Sequence, residues 1–371
     1  MEGRMKIGTI WGIPIGLHYS WFIVFALVTW SLAGGYFRAE YPGWEMPIYW
    51  VVGALTSLFF FGSVLVHELG HSWVALRNAI PIKSITLFIF GGIARIGREP
   101  TSPGVELRIG IAGPLTSLGL AGLFWAIWLA FRDVELIAAA AIWLARINLL
   151  LGLFNLVPGF PLDGGRVFRA LLWKWMGSFH QATRMASLAG QLVAFGFIGI
   201  GILGVVRGNV LGGMWMVFIG WFLQNAASAS LAEASLRELL RDVTVAQAMT
   251  QDCPRIASGL PLERLVQEEV LGKGRRCFVI TDNGHLQGLV TLHEVKAVPR
   301  ERWGAVRVDE VMVRPDRLAT VAPGENLLTA LQKMDDANVA QMPVVSGDRL
   351  FGMVSREQLL RYIRVRAELE A

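Results

Sequence analysis

Cysteine is nearly absent: the 371 residues hold two, Cys253 and Cys277. That excludes a disulfide-stapled secreted fold, and two free thiols fit a reducing compartment. Charge is scarce too, but only in one stretch. Residues 1–240 carry 16 Lys or Arg and 11 Asp or Glu, about 11% of the stretch, whereas residues 241–371 carry 18 of each sign, about 27%. Soluble domains average near 25%, so the second stretch has a soluble composition and the first does not. The net charge of +5 falls wholly in the apolar stretch. A nucleic-acid footprint would need a clustered basic face on a soluble domain, so the basic balance is not one and no nucleic-acid partner is expected. The composition also excludes a collagenous or disordered chain.

What the first stretch has instead is long charge-free runs, at 7–37, 46–66, 109–131, 185–206 and 208–232, with a sixth at 136–157 interrupted only by Arg146. About 20 apolar residues cross a bilayer, so six spans are expected. The first run is too long for a signal peptide and lacks its small-residue cleavage site, so it reads as a retained span. With a cytoplasmic N-terminus, the inner segments hold eleven Lys or Arg, from Arg4 to Arg184, and the outer loops only Arg38, Arg132 and Arg207. This positive-inside bias predicts both termini in the cytoplasm.

Inside the second span, directly after its charge-free run, stands His67-Glu68-Leu69-Gly70-His71. Residues four apart share a helix face, so the two imidazoles can grip one metal, with Glu68 beside them to take a proton from a metal-bound water. Ionisable groups buried in a span are costly and functional by default. Catalytic zinc needs a third protein ligand. Asp163 suits the part, in Asn155-Leu-Val-Pro158-Gly-Phe-Pro161-Leu162-Asp163-Gly164-Gly165. There Pro158 and Pro161 stop the fourth span, Gly164-Gly165 permits a tight turn, and the carboxylate can be aimed back at the metal. His18 reads as a hydrogen-bonded span residue. Arg146 lies mid-span, where a charge needs a partner, and Glu106 is one candidate mate.

The paired motifs His67-Glu68-x-x-His71 and Asn155-x-x-Pro158-x-x-Pro161-Leu-Asp163-Gly164 resemble those of the site-2 protease family, the M50-type intramembrane zinc metalloproteases. The resemblance covers about residues 1–230. It implies one zinc per chain held by His67, His71 and Asp163, with Glu68 as the base that activates water. It further implies Asn155 as the group that hydrogen-bonds the substrate carbonyl or its developing oxyanion. The β-branched segment 82–96 is too short for a span and reads as a hairpin or looped strand dipping into the membrane. In the family such a strand pairs with extended substrate, here through Phe90, Gly91 and Gly92; a purely structural hairpin is the alternative. Ala112-Gly113-Pro114 and Ser117 resemble the family's Gly-Pro element, which small-residue helix packing also explains.

The polar stretch repeats itself. Val245-Ala-Gln-Ala-Met249 recurs as Val308-Asp-Glu-Val-Met312, 63 residues on, and Gly288-Leu-Val-Thr291 as Gly352-Met-Val-Ser355, 64 residues on. Each unit reads as strand, helix, strand, strand, helix, and resembles a tandem pair of cystathionine-β-synthase-type (CBS) domains. Such pairs often bind adenine nucleotides, which would here meet Thr291 and Ser355. The expected ribose-binding Asp is replaced by Glu294 and Gln358, which argues against nucleotide and leaves a structural or homodimerising module as the alternative.

The expected architecture is a polytopic α-helical membrane protein of six transmembrane helices with a short membrane-associated β-hairpin, plus a cytoplasmic α+β tandem CBS module. The expected division is a membrane protease domain 1–232, a linker 233–242, and CBS repeats 243–300 and 305–366. The expected activity is hydrolysis of a peptide bond within or near the transmembrane segment of a membrane-protein substrate, at the plasma or inner membrane, by a zinc metalloendopeptidase. A CBS-regulated transporter or channel with a metal-binding His pair is the alternative; it leaves Glu68 and the Asn-Pro-Pro-Asp exit unexplained.

Overall fold

The computed structural model describes residues 4–370 except 90, 241, 251–253, 276, 283–284, 338 and 348. The chain divides into two compact units, Met1–Ala234 and Ser235–Ala371. Among the described residues, six helices are long and apolar enough to cross a membrane. They are α1 (Ser20–Glu40, with a π-helical turn at Leu32–Tyr36), α2 (Met46–Arg77), α3 (Pro103–Ala130), α4 (Glu135–Asn155), α6 (Phe179–Val206) and α7 (Val210–Leu239). Between α4 and α6 lies a shorter helix, α5 (Asp163–Met176).

The first charge-free run is not one long helix. Its beginning forms part of a β-hairpin, β1 (Arg4–Ile10) and β2 (Ile13–His18), and the span starts only at Ser20. Trp11 and Gly12 both have positive φ, at 50° and 78°, as the tight two-residue turn between right-twisted strands requires. Ile13, Ile15 and Leu17 alternate onto one face and are buried, the two-residue period of a strand rather than a helix. His18 therefore ends a strand, its Nδ1 2.8 Å from Ser20 Oγ.

The predicted hairpin at 82–96 is present as antiparallel β3 (Ile82–Phe88) and β4 (Gly91–Ile96). It is half of a larger structure. β2 runs parallel to β3, pairing Ile15 with Ile85 and Leu17 with Leu87, to give a four-stranded sheet ordered β1-β2-β3-β4. Ile13, Ile82 and Ile85 pack on Ala75 and Ile109, and Leu17 and Leu87 on Phe61 and Val64. The sheet thus covers the half of α2 that carries the two histidines, and β4 is its edge.

In the second unit a five-stranded sheet runs β5-β6-β7-β9-β8. Its strands are β5 (Arg255–Ala257), β6 (Cys277–Asp282), β7 (His285–Thr291), β8 (Gln341–Ser346) and β9 (Arg349–Ser355). The two repeats exchange their leading segments. Val245, which opens the first repeat, is buried among Val344, Val354 and Leu359 of the second. Val308, which opens the second, is buried among Phe278, Ile280 and Val290 of the first. Met312 also lies against Gly288, where an added Cβ would stand 2.6 Å from its sulfur.

Candidate metal centre and active site

The helical spacing of His67 and His71 does what the pattern requires: both imidazoles leave one face of α2 and are buried. Asp163 is the first residue of α5. Its Oδ2 stands 3.1 Å from His67 Nε2 and 3.0 Å from His71 Nε2, and the two nitrogens are 3.3 Å apart. The three residues are the one group of His, Cys, Asp or Glu among the described residues whose donor atoms converge as a metal site would need.

The proton positions follow from the outer partners. His71 Nδ1 lies 2.6 Å from the Ile109 carbonyl oxygen. A carbonyl only accepts, so Nδ1 donates and Nε2 keeps its lone pair. His67 Nδ1 faces the buried Ser117 Oγ at 2.9 Å, where the hydroxyl can accept in the same way. Two imidazole lone pairs and a carboxylate oxygen then point at one place. Left alone they repel one another; a divalent cation relieves that. Ligands about 2.0 Å from a tetrahedral ion stand about 3.3 Å apart, close to the spacing found. The residues fit zinc, with three protein donors and a fourth position open.

The wall opposite is α3, and Gly113 is what makes the room. A Cβ there would stand 2.7 Å from His67 Nε2 and nearer still to His71 Nε2. The Gly-Pro element therefore has a more specific use than helix packing, since with Ser117 and the Ile109 carbonyl it brackets both imidazoles. The motif signalled Gly113 and Ser117, but no sequence signal could have found a backbone carbonyl.

Glu68 borders a cavity of about 730 Å3 that also admits His67, His71, Asn155, Asp163 and Arg166. Its carboxyl lies against β4: a Cβ on Gly92 would come within 3.0 Å of Glu68 Cδ. Gly91, with φ 125°, opens the same strand. Both glycines line the cavity; Phe90, expected beside them, lies outside the described residues. Asn155 is the last residue of α4 and borders the cavity as well.

Gly164 and Gly165 do not form a turn. They belong to the first turn of α5, where a Cβ on either would strike the backbone of Leu156 or Gly159. Close approach of the helix to the 156–160 loop, rather than a reversal, aims Asp163. A second device holds α5. Arg169 donates to the buried Glu106 from two nitrogens, with Nε at 2.7 Å, and lies over the rings of Phe160 and Phe179. Glu106 is thus the mate of Arg169 and not of Arg146, because the first turn of α3 packs against the middle of α5.

In the second unit Thr291 and Ser355 each precede a helix. Glu294 Oε2 accepts from the Thr291 backbone N–H at 2.8 Å and from its hydroxyl at 2.6 Å. Gln358 Oε1 accepts from the Ser355 N–H at 3.1 Å. The side chains in place of the expected Asp are turned back as helix-capping groups.

Residues 55–140 and 132–198 match peptidase family M50, and residues 308–365 match the CBS domain. A Synechocystis protein that carries a zinc metalloprotease name is 34% identical over 374 residues, covering 99% of this chain and 97% of its own. A Mycobacterium tuberculosis protein with the same kind of name is 35% identical, covering 98% of this chain and 94% of its own. The site-2 protease structure from Methanocaldococcus jannaschii matches at 29% identity and a TM-score of 0.42, covering 62% of this chain and 95% of that one. Identity sustained across both units, membrane helices and CBS pair together, shows that the chain belongs to peptidase family M50, the site-2 proteases, and is a multi-pass membrane zinc metalloprotease.

Proposed function

We propose that the chain hydrolyses a peptide bond within or near the transmembrane segment of a membrane-protein substrate, at one zinc per chain held by His67, His71 and Asp163. The observation that carries this reading is the convergence of three lone-pair donors beside a carboxylate in one cavity. Zinc bound there supplies Lewis acidity toward a water molecule and a carbonyl oxygen. The Glu68 carboxylate takes the proton of the attacking water and returns it to the leaving amine nitrogen. The Asn155 amide N–H donates to the carbonyl oxygen as negative charge builds on it. A helical segment cannot present its bonds for attack, so substrate is unwound, and the open edge of β4 at Gly91 and Gly92 can hold it extended through main-chain hydrogen bonds.

Both termini are read as cytoplasmic, in a plasma or inner membrane, from the positive-inside bias. The division at 1–232, 243–300 and 305–366 is kept as the functional one, with the CBS pair serving assembly or substrate access. The expected linker 233–242 is not an irregular segment, since residues 233–239 continue α7 and Leu240 is buried beside Val243 and Val245. A carrier or channel reading finds no support among relatives that carry zinc metalloprotease names.

The test is cleavage of tagged single-span membrane proteins by the purified chain, with zinc measured on the same samples. Wild type cleaves; Glu68→Gln keeps its zinc and loses cleavage, because an amide cannot take the proton. His67→Ala, His71→Ala and Asp163→Ala each lose zinc. Full zinc and activity in Asp163→Ala would overturn the ligand set. Light scattering of the full chain, with and without residues 235–371, tests homodimerisation through the CBS pair.

A further inference from the structure

Arg146 takes no part in the site described above. It is the twelfth residue of α4, about 16 Å from Glu135 at the 1.5 Å rise of a helix, which is mid-depth in a hydrocarbon core of about 30 Å. It is nevertheless exposed. Its single hydrogen-bond partner among the described residues is the Tyr36 hydroxyl, to which Nη1 donates at 3.5 Å. A guanidinium carries five N–H donors and a fixed charge, and one uncharged acceptor at the limit of bonding does not balance it.

Beside it runs a groove of about 220 Å3 between α3 and α4. Leu118, Ala121, Gly122 and Trp125 form its wall on α3, at the spacing of one helix face, and Ala145 and Leu149 flank Arg146 on α4. An added Cβ on Gly122 would meet nothing within 4 Å. Small residues in a groove let another helix approach closely in lipid, where association rests on packing and on polar contacts.

We propose that this groove docks a transmembrane helix of another protein that carries an Asp or Glu at mid-depth, paired with Arg146. Charge complementarity and depth select this occupant. Lipid phosphates stay at the bilayer surface, too far for Arg146 to reach by snorkelling from the midplane. Among the described residues, no span of a second copy offers an acid at this depth. In its six spans Glu68 faces the catalytic cavity, Glu106 is buried on Arg169, and Glu40, Glu135, Glu233 and Glu238 lie within seven residues of a helix end.

The test uses the full chain, donor-labelled, in phosphatidylcholine nanodiscs, and acceptor-labelled helical Leu/Ala peptides with Asp, Lys or Leu at the centre. Energy transfer should show the Asp peptide binding about 5- to 30-fold tighter than the Leu peptide. That advantage should vanish in Arg146→Leu and pass to the Lys peptide in Arg146→Glu. Gly122→Leu, which fills the groove, should weaken both the Asp and the Leu peptide. Zinc content equal to wild type shows that each variant is folded. Equal affinity of the Asp and Leu peptides for wild type overturns the proposal whatever the variants do, as does an Asp advantage that survives Arg146→Leu. Loss of that advantage when phosphatidylglycerol is added would give Arg146 to an anionic lipid instead.

Discussion

A methyl group is the smallest change that tests the metal centre. At Gly113 it would enter the space where His67 and His71 converge, so Gly113→Ala should lower zinc content sharply, read by metal analysis of the purified chain. The backbone at Gly113 is ordinary helix, which Ala prefers, so helix content measured by circular dichroism should hold. Ser117 acts at the other side of the ring. Outer-sphere partners of a metal-bound His typically support its affinity by about 10- to 100-fold, so Ser117→Ala should lower zinc affinity by that order in chelator competition. An unchanged affinity would reduce the hydroxyl to packing. Gly92→Ala should do neither: it crowds Glu68 rather than the imidazoles, so zinc should stay and turnover should fall.

Among the elements, α5 carries the third donor yet is too short to cross the membrane, so it depends on what grips it. The grip is Arg169, bonded to Glu106 of α3 and set over Phe160 and Phe179. Removing one partner of a buried ion pair strands the other and typically costs about 3–5 kcal/mol. Arg169→Met should therefore lower the unfolding temperature in detergent and loosen zinc together. The exchanged leaders of the CBS repeats make a second prediction at this scale. A fragment of residues 305–371 lacks Val245 and its neighbours, whose burial completes the core around Val344 and Leu359. It should fail to unfold cooperatively, while residues 235–371 should melt in one transition.

At the scale of the whole molecule, the positive-inside rule predicts that cysteine labelling reaches the 97–102 loop and the C-terminus from the cytoplasm, and the loops at Arg132 and Arg207 from outside. Termini on opposite sides would overturn it. For the CBS pair, the capping bonds hold Glu294 Oε2 against the Thr291 backbone and hydroxyl, which turns the carboxylate to its own helix terminus rather than to ribose hydroxyls. Calorimetry of the full chain with ATP, ADP and AMP should show no sub-millimolar binding. Binding that Thr291→Ala abolishes would show that the caps open for ligand.

The sequence by itself determined the six apolar helices, the soluble repeat, and the pairing of His67-Glu68-x-x-His71 with Asp163. The helices, the repeat and the shared face of His67 and His71 depend on composition and on spacings of four residues or fewer, which a helix converts directly into one face. Asp163, 92 and 96 residues from the histidines, was legible only through its Pro- and Gly-rich motif and the family resemblance. It did not reveal that the first run begins as strands, because a charge-free run looks alike to a helix and a buried strand when only hydropathy is counted. Nor did it distinguish a turn from a close approach at Gly164-Gly165, or Arg169 from Arg146 as the mate of Glu106. Those choices rest on contacts that no helical or strand spacing gives: Gly164 and Gly165 against the backbone of residues 156–160 in the preceding loop, and Glu106 of α3 against Arg169 of α5, 63 positions apart. Only packing brings such pairs within reach, and only packing left Arg146 exposed at mid-depth with the Tyr36 hydroxyl as its one hydrogen-bond partner among the described residues.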